Sequence, residues 1–306
     1  MSHDTSTAVA KLRGLTAIFD NNVKAYQPFW PTLAVDVPSD GADEEYGMLG
    51  RVAAIREWLG DRDFKEMRAA KWTLTNKLWE VSHGIPRQDL DDDRLGMHRL
   101  MLAQIGVRAS QHPDSLLFTL INDGESGACF DGQFFFDTDH EWGDSGVQSN
   151  DLTYAAASGT TPTVAELKLA FNAAMVALVS FKDDRGELLN GDVYDDTQQI
   201  TIVAHPTLKQ TLEDALSVRL QSTGGDNVVI ARPKIITSAR VSSTAKFDIY
   251  KTDEPLKPFI MQNRTPLKRQ MKGATDIEEK MIKFMTEARY VAGYGAWWTG
   301  VRTTFT

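Results

Sequence analysis

A chain of 306 residues, 42% hydrophobic and 25% charged, has ordinary globular composition and can bury a large core in one domain or in two or three intertwined ones. A net charge of −9 argues against a dedicated nucleic-acid binder, whose phosphate contacts need clustered Lys and Arg. The single cysteine, Cys129, excludes an internal disulfide framework, and no leader pattern or apolar run near the roughly 20 residues of a membrane span is present, so the sequence predicts a soluble intracellular protein.

Residues 1–40 read as an arm. Helical spacing appears briefly at Val9, Leu12, Leu15, Ile18 and Phe19, and Pro28, Pro31 and Pro38 then hold the chain extended. Phe29 and Trp30 on such an arm are costly in a monomer, which favours burial against a neighbouring copy over packing on their own domain. An acidic turn from Asp40 to Glu45 leads toward a β-rich run from Lys71 to Val81 that is apolar on both sides and so needs cover on both. The longest helical stripe, Leu95, Leu102, Ile105, Ala109, Leu116, Leu117, Leu120 and Ile121, predicts a helix over 93–123. Asp89 and Asp91 to Asp93 suit its N-terminal dipole, Gly124 stops it, and Pro113 should kink or restart it.

Asp131-Gly132 predicts a tight hairpin turn between Cys129-Phe130 and Gln133 to Phe136, and the polar, glycine-rich stretch 143–159 a linker or mobile loop. Thr163 and Glu166 form a capping box ahead of an amphipathic helix through Val164, Leu167, Phe171, Ala174 and Leu178. An Asp-rich loop, 183–196, precedes a strand over 199–204, and Pro206 opens a helix with Leu208, Leu212, Ala215 and Leu216 inward. Short strands follow at 228–231, 234–241 and 246–251. The last fifty residues read as long strands that return beneath the long helix, with Tyr294, Trp297, Trp298 and Val301 as core.

A closely spaced run of landmarks lies between Tyr46 and His140. It runs Tyr46-Gly47-Met48-Leu49-Gly50, then Arg56-Glu57-Trp58-Leu59-Gly60-Asp61-Arg62, then Asn76-Lys77 and Arg87-Gln88-Asp89. Asp91-Asp92-Asp93-Arg94-Leu95-Gly96, His112-Pro113-Asp114 and the segment Asp131 to His140 complete it. This ordered set resembles the Mu-type major head subunit family of tailed bacteriophages, whose members build icosahedral shells in the tailed-phage capsid fold (the Hong Kong ninety-seven fold). The resemblance implies an α+β chain with an N-terminal arm (1–40), an extended loop (41–80), a peripheral domain with a spine helix (81–150), an axial domain (151–255) and return strands of the peripheral domain (256–306). It further implies a structural subunit without catalysis, cofactor or metal that self-assembles into pentamers and hexamers. Its partners would be copies of itself, a scaffold protein, a portal, a decoration protein and non-specifically packaged double-stranded DNA, with no membrane. Its place would be the virion capsid, after assembly in the host cytoplasm.

Two other readings stand beside this one. An encapsulin-like or gene-transfer-agent shell would keep the fold and change the contents, though residues 1–40 look more like an arm than a cargo groove. A metal-dependent enzyme would use Asp137, Asp139 and His140, with Asp131 nearby, as carboxylate and imidazole ligands. The hydrogen-bonding needs of a turn explain those residues better. Cys129 lacks an imidazole partner in the sequence, and no phosphate-binding glycine loop or serine elbow occurs. Some shells of this fold join Lys to Asn covalently; Lys65, Lys71, Lys77 and Asn263 lie in suitable regions, without a matching signature. Arg56-Glu57, Arg62 and Arg87-Gln88-Asp89 read as salt bridges. Residues 256–306 hold nine basic and four acidic side chains, a balance of +5 that leaves −14 for the rest, as expected of contacts between copies or of plain solvation.

Overall fold

The computed structural model describes residues 2–48, 70–190, 199–216, 233–272 and 280–306. The expected loop tip with Arg56, Glu57, Arg62 and Lys65, the end of the Asp-rich loop and the strand 228–231 lie outside them. In chain order the elements are α1 (Ser2–Ala25), α2 (Trp30–Leu33), β1 (Ala34–Pro38), β2 (Asp43–Met48), β3 (Ala70–Thr75), β4 (Lys77–Pro86), α3 (Arg87–Asp91) and α4 (Gly96–Asn122). They continue with β5 (Asp151–Tyr154), α5 (Val164–Ser180), β6 (Ile200–Ala204), α6 (Lys209–Leu216), β7 (Lys234–Thr237), β8 (Lys246–Lys251), β9 (Phe259–Lys272), β10 (Met281–Tyr294) and β11 (Gly300–Phe305). Two sheets organise them. One has the order β1-β9-β10-β4 and lies against α4; the other has the order β5-β11-β8-β6-β7 and lies against α5 and α6, while β2 and β3 pair as a separate antiparallel ribbon.

The helical spacing at Val9 to Phe19 grows into a full helix, and of the proline-bearing stretch 28–38 residues 30–33 are helical while 34–38 are extended as β1. Helix α1 is 24 residues long, and its Leu12, Leu15 and Phe19 are buried against Leu90, Leu95, Leu102, Ile282 and Phe284. Gly106 in the middle of α4 makes this possible, because a Cβ there would stand 2.8 Å from the Phe19 carbonyl oxygen. Ser110 Oγ bonds the Val23 carbonyl one turn further along. Phe29 and Trp30 are half-buried on the chain's own core, Phe29 stacked on Phe118 at 5.7 Å. The apolar residues of the arm therefore find cover without a neighbour, and the argument that they require one fails.

The expected 71–81 strand divides at buried Asn76, whose amide donates to Ser39 Oγ and the Gly41 carbonyl, so that β3 and β4 belong to different sheets. The acidic residues expected in the first turn of the long helix lie before it. Asp89 and Asp91 belong to α3, and Asp93 takes a left-handed φ of 57° that separates the two helices. Helix α4 passes through Pro113 without a restart.

The stretch 143–159 is no linker. Asn150 is fully buried, donating to the carbonyls of Phe135 and Trp297 and accepting from the Asp137 amide, and β5 follows in register with β11. The capping box at Thr163 and Glu166 forms as the sequence predicts, as do the inward Leu208, Leu212, Ala215 and Leu216. The strand expected over 234–241 ends at Thr237, where a turn through Ser238 begins. Of the C-terminal strands, β9 and β10 return beneath α4, whereas β11 crosses into the second sheet.

Arg302 on β11 joins the two halves. Its guanidinium forks onto Asp248 at 2.7 and 2.8 Å, reaches Glu125 at 3.1 Å, donates to the Ile121 carbonyl at the end of α4 and covers the Phe136 ring at 4.1 Å. Burial alone would lower the Arg302 pKa, but the Asp248 carboxylate beside it outweighs this and keeps the group charged. Arg302→Met leaves Asp248 buried without its partner and should cost about 3–5 kcal/mol of stability, read from urea unfolding; a loss below about 1 kcal/mol would show that packing alone holds this joint.

Candidate functional site

The segment Asp131 to His140 builds a structural knot. His140 is fully buried, its Nδ1 is 2.6 Å from Asp131 Oδ2, and its ring lies flat on Trp297 at 4.0 Å with 5° between the planes. Its backbone exchanges two hydrogen bonds with Gln148. Gly132, at φ 89°, lets the chain turn as Asp131-Gly132 predicts, and the Cys129 amide donates to the Gln133 carbonyl across it. Phe135 and Phe136 point inward, Phe135 stacking on Phe259 and Tyr294, while Phe134 stays exposed.

The proposed ligands do not converge. Burial works against the Asp137 carboxylate, but a hydrogen bond with Asp139 and the amides of Thr138 and Phe134 hold its pKa below the usual value. Asp139, which shares that bond with Asp137, is raised, while His140 turns to Asp131. Among the described residues no group of three or more His, Cys, Asp and Glu side chains is arranged to hold a metal. The arrangement satisfies the hydrogen-bonding needs of a turn. Burial also pushes the Cys129 thiol up, with the Asp131 charge adding to it, which disfavours the thiolate that a nucleophile needs.

His112-Pro113-Asp114 has a mechanical part. Asp114 is buried inside α4, and its carboxylate accepts from the amides of Phe29 and Trp30 and from the Tyr26 hydroxyl at 2.6–3.1 Å. It thus satisfies the open N-terminus of α2 from another element, a long-range cap that local pattern reading cannot find. Burial and this hydrogen bond push the Tyr26 hydroxyl up to about 12. His112 Nδ1 meets the Tyr290 hydroxyl at 2.7 Å with Trp79 4.4 Å away, which fixes α4 on the sheet; burial and the charge of Arg240 hold His112 below its ordinary pKa. Asn263, a cross-link candidate, already donates to Asp36, Lys77 is exposed on β4, and the side chain of Lys71 lies outside the described residues.

Among the described residues, two helices carry uncovered apolar faces. On α4, Met97, Leu100 and Met101 are exposed, Met97 to 69%. On α5 the outward stripe Ala165, Leu169, Asn172, Ala173, Val176 and Ser180 carries no charge, with Leu169 59% and Val176 65% exposed. An uncharged apolar stripe of this kind is the type of surface that protein–protein contacts use. No described helix is long and apolar enough to cross a membrane.

Comparison with known proteins bears on the same residues. Residues 9–164 match the family described as the Mu-like prophage major head subunit gpT. Over 108 residues the chain is 38% identical to the major capsid protein of Escherichia phage Mu, a stretch covering 35% of each protein. The alignment therefore spans about a third of that relative's length. Among solved structures, the procapsid of bacteriophage JBD30 matches with a TM-score of 0.54 at 23% identity, covering 96% of this chain and 75% of that one. The mature capsid of bacteriophage PhiM1 matches with a TM-score of 0.62 at 14% identity, covering 92% and 88%. The fold is that of tailed-phage major capsid proteins, and the proteins sharing family and fold are structural rather than catalytic.

Asp114→Ala strands two amides and a hydroxyl; unfolding should show a loss of about 2–3 kcal/mol, with faster hydrogen exchange over 26–33, and an unchanged exchange pattern would remove Asp114 from this part. A chelator should leave the thermal midpoint within about 1 °C, whereas specific binding at 100 times Kd would add about 2.7 kcal/mol. Stabilisation by added Zn²⁺ or Mg²⁺ would restore the metal reading of Asp137, Asp139 and His140.

Proposed function

The chain belongs to the Mu-like prophage major head subunit family, and from that premise we propose that it is the shell-forming subunit of a tailed-phage head, copies of which close into pentamers and hexamers around double-stranded DNA. The observation that carries this reading is the pair of uncovered apolar faces on an otherwise well-packed body: Met97, Leu100 and Met101 on α4, and the uncharged stripe of α5. A solitary soluble subunit gains nothing from leaving them in water, and neighbours at several modest patches give cooperative closure. The arm no longer contributes to this argument, since its apolar residues are covered internally.

In this reading α4 with the four-stranded sheet forms the peripheral domain, α5, α6 and the five-stranded sheet form the axial domain, and residues 41–80 the extended loop. β11 then belongs with the axial domain by its pairing, although it follows the peripheral return strands. A net charge of −9 suits an inner surface that meets DNA weakly and lets it move. A scaffold protein, a portal and a decoration protein would complete the virion, with assembly in the host cytoplasm. The fold alone also suits an encapsulin-like or gene-transfer-agent shell; the family match favours the phage head.

Electron microscopy of the expressed chain should show closed shells of uniform diameter, and a monomer at every concentration would overturn the reading. Leu169→Glu with Val176→Glu should leave circular dichroism and the thermal midpoint near those of the parent while shifting most of the protein to dispersed subunits in sedimentation. Unimpaired assembly of that variant would remove the α5 face from the contacts.

A further inference from the structure

Strand β4 turns Trp79, Val81, His83 and Ile85 toward α4, and His83 is the titratable side chain among them. His83 Nε2 lies 3.0 Å from Nδ1 of His98, in the first turn of α4, and His98 Nε2 lies 3.0 Å from Asp89 Oδ2 on α3. The rings are 5.3 Å apart. One chain of hydrogen bonds thus joins a strand and two helices, next to the left-handed Asp93 at which the backbone turns from α3 into α4.

Counting protons along this chain gives it a function. The carboxylate can only accept, so His98 donates through Nε2 and its Nδ1 accepts from the His83 Nε2–H when both rings are neutral. One added proton on His98 reverses the middle bond once His83 shifts its own proton from Nε2 to Nδ1, so that His98 Nδ1–H donates to His83 Nε2 and no bond within the chain is lost. A second added proton sets N–H against N–H and brings two cations into contact. The middle bond then has no acceptor.

We propose that His83, His98 and Asp89 form a proton-operated latch that holds the start of α4 to β4 and opens when both imidazoles are protonated. Burial, and then the charge of His98, hold His83 below its ordinary pKa of 6.5. The unfolded chain therefore binds the proton more readily, and the latch's contribution, present above about pH 6.5, is lost as pH falls toward the lowered value. The surrounding charges are otherwise engaged: Lys11 of α1 pairs with Asp93 and donates to the Leu90 carbonyl, and Arg94 pairs with Asp92. On the paired strand β10, Phe284 stands opposite His83, Lys283 opposite Gly84 and Glu287 opposite Glu80. A cation in the first turn of α4 also opposes the helix dipole. Beneath the latch lies a separate apolar cluster that includes Leu12, Leu15, Phe19, Leu95 and Phe284, so opening loosens α1 as well as α4. The consequence for a shell, an acid-softened end of the spine helix, rests on the function proposed above; the latch does not.

The test uses the purified full chain as dispersed subunits, so that it reads the latch whether or not shells form. Hydrogen exchange over 84–102, corrected for the intrinsic rate, should lose up to about ten-fold protection between about pH 7.5 and about pH 5.5, the most that uptake of one proton contributes over the unit of pH below about 6.5, while α5 keeps its protection. In His83→Gln, which donates but does not titrate, the pH-dependent loss should disappear. Equal protection at both pH values in the parent chain, or the same loss in His83→Gln, would overturn the latch. Should that variant fail to fold, imidazole nitrogen shifts of the parent chain decide: two coupled steps with His83 lowered support it, and two independent ordinary titrations refute it.

Discussion

A carboxylate buried inside a helix must draw its donors from outside that helix, and Asp114 takes them from the bend at residues 26–30. This places α1, α2 and β1 relative to α4. Because β1 pairs with β9, the same pin also sets the edge of the four-stranded sheet. Leaving the charge unpaired would cost several kcal/mol, so the bend cannot slide along α4 without losing more than any single apolar contact returns. Pro113 immediately before it removes one helical hydrogen bond. The helix continues there because its neighbours on both sides are held, His112 by Tyr290 and Asp114 by the bend.

At the other end of α4, Arg302 performs the equivalent task for the second sheet. It grips the last carbonyls of the helix through Ile121 and the sheet through Asp248, while Phe135, Phe136, Phe259 and Tyr294 fill the seam. The helix is thereby fixed at its middle and at its end to different layers, each by a charge that cannot be displaced cheaply. Its start is held by a different device, the hydrogen-bond chain that joins His83, His98 and Asp89.

Much of this was legible from the residues. The apolar stripe of α4, the Thr163–Glu166 box, the all-buried β6 and the Asp131-Gly132 turn are local patterns, and local physics decides them. What escaped was long-range. Lys11, Arg13 and Asp20 interrupt the stripe of α1, and only the groove opened by Gly106 shows why so polar a helix is stable there. The glycines of 143–159 read as a linker because nothing local announces that Asn150 will be fully buried between Phe135 and Trp297. Asn76 looks like one more strand residue until its amide is seen bonding the 39–41 turn. The landmarks carrying the family resemblance included Asp114 and His140, but only as positions; their parts as pin and knot needed the coordinates.

In the shell proposed above, a subunit that fitted both five-fold and six-fold surroundings would face two opposed demands. Its body must transmit load without yielding, yet its contacts must tolerate small changes of angle. Side-chain charges buried within the body meet the first demand, because charge-assisted hydrogen bonds are directional and lose energy steeply when bent. Uncharged helix faces meet the second, since apolar contact is non-directional and survives a shift of an ångström or a few degrees with little loss. The division seen here follows that logic: Asp114 and Arg302 lie inside, whereas the α5 stripe and the Met97–Met101 face of α4 lie outside without charge at their centres. Reversing it, with charges outside and only apolar packing within, would give a body that deforms and contacts that lock a single angle. Such a chain could close one kind of ring but not two.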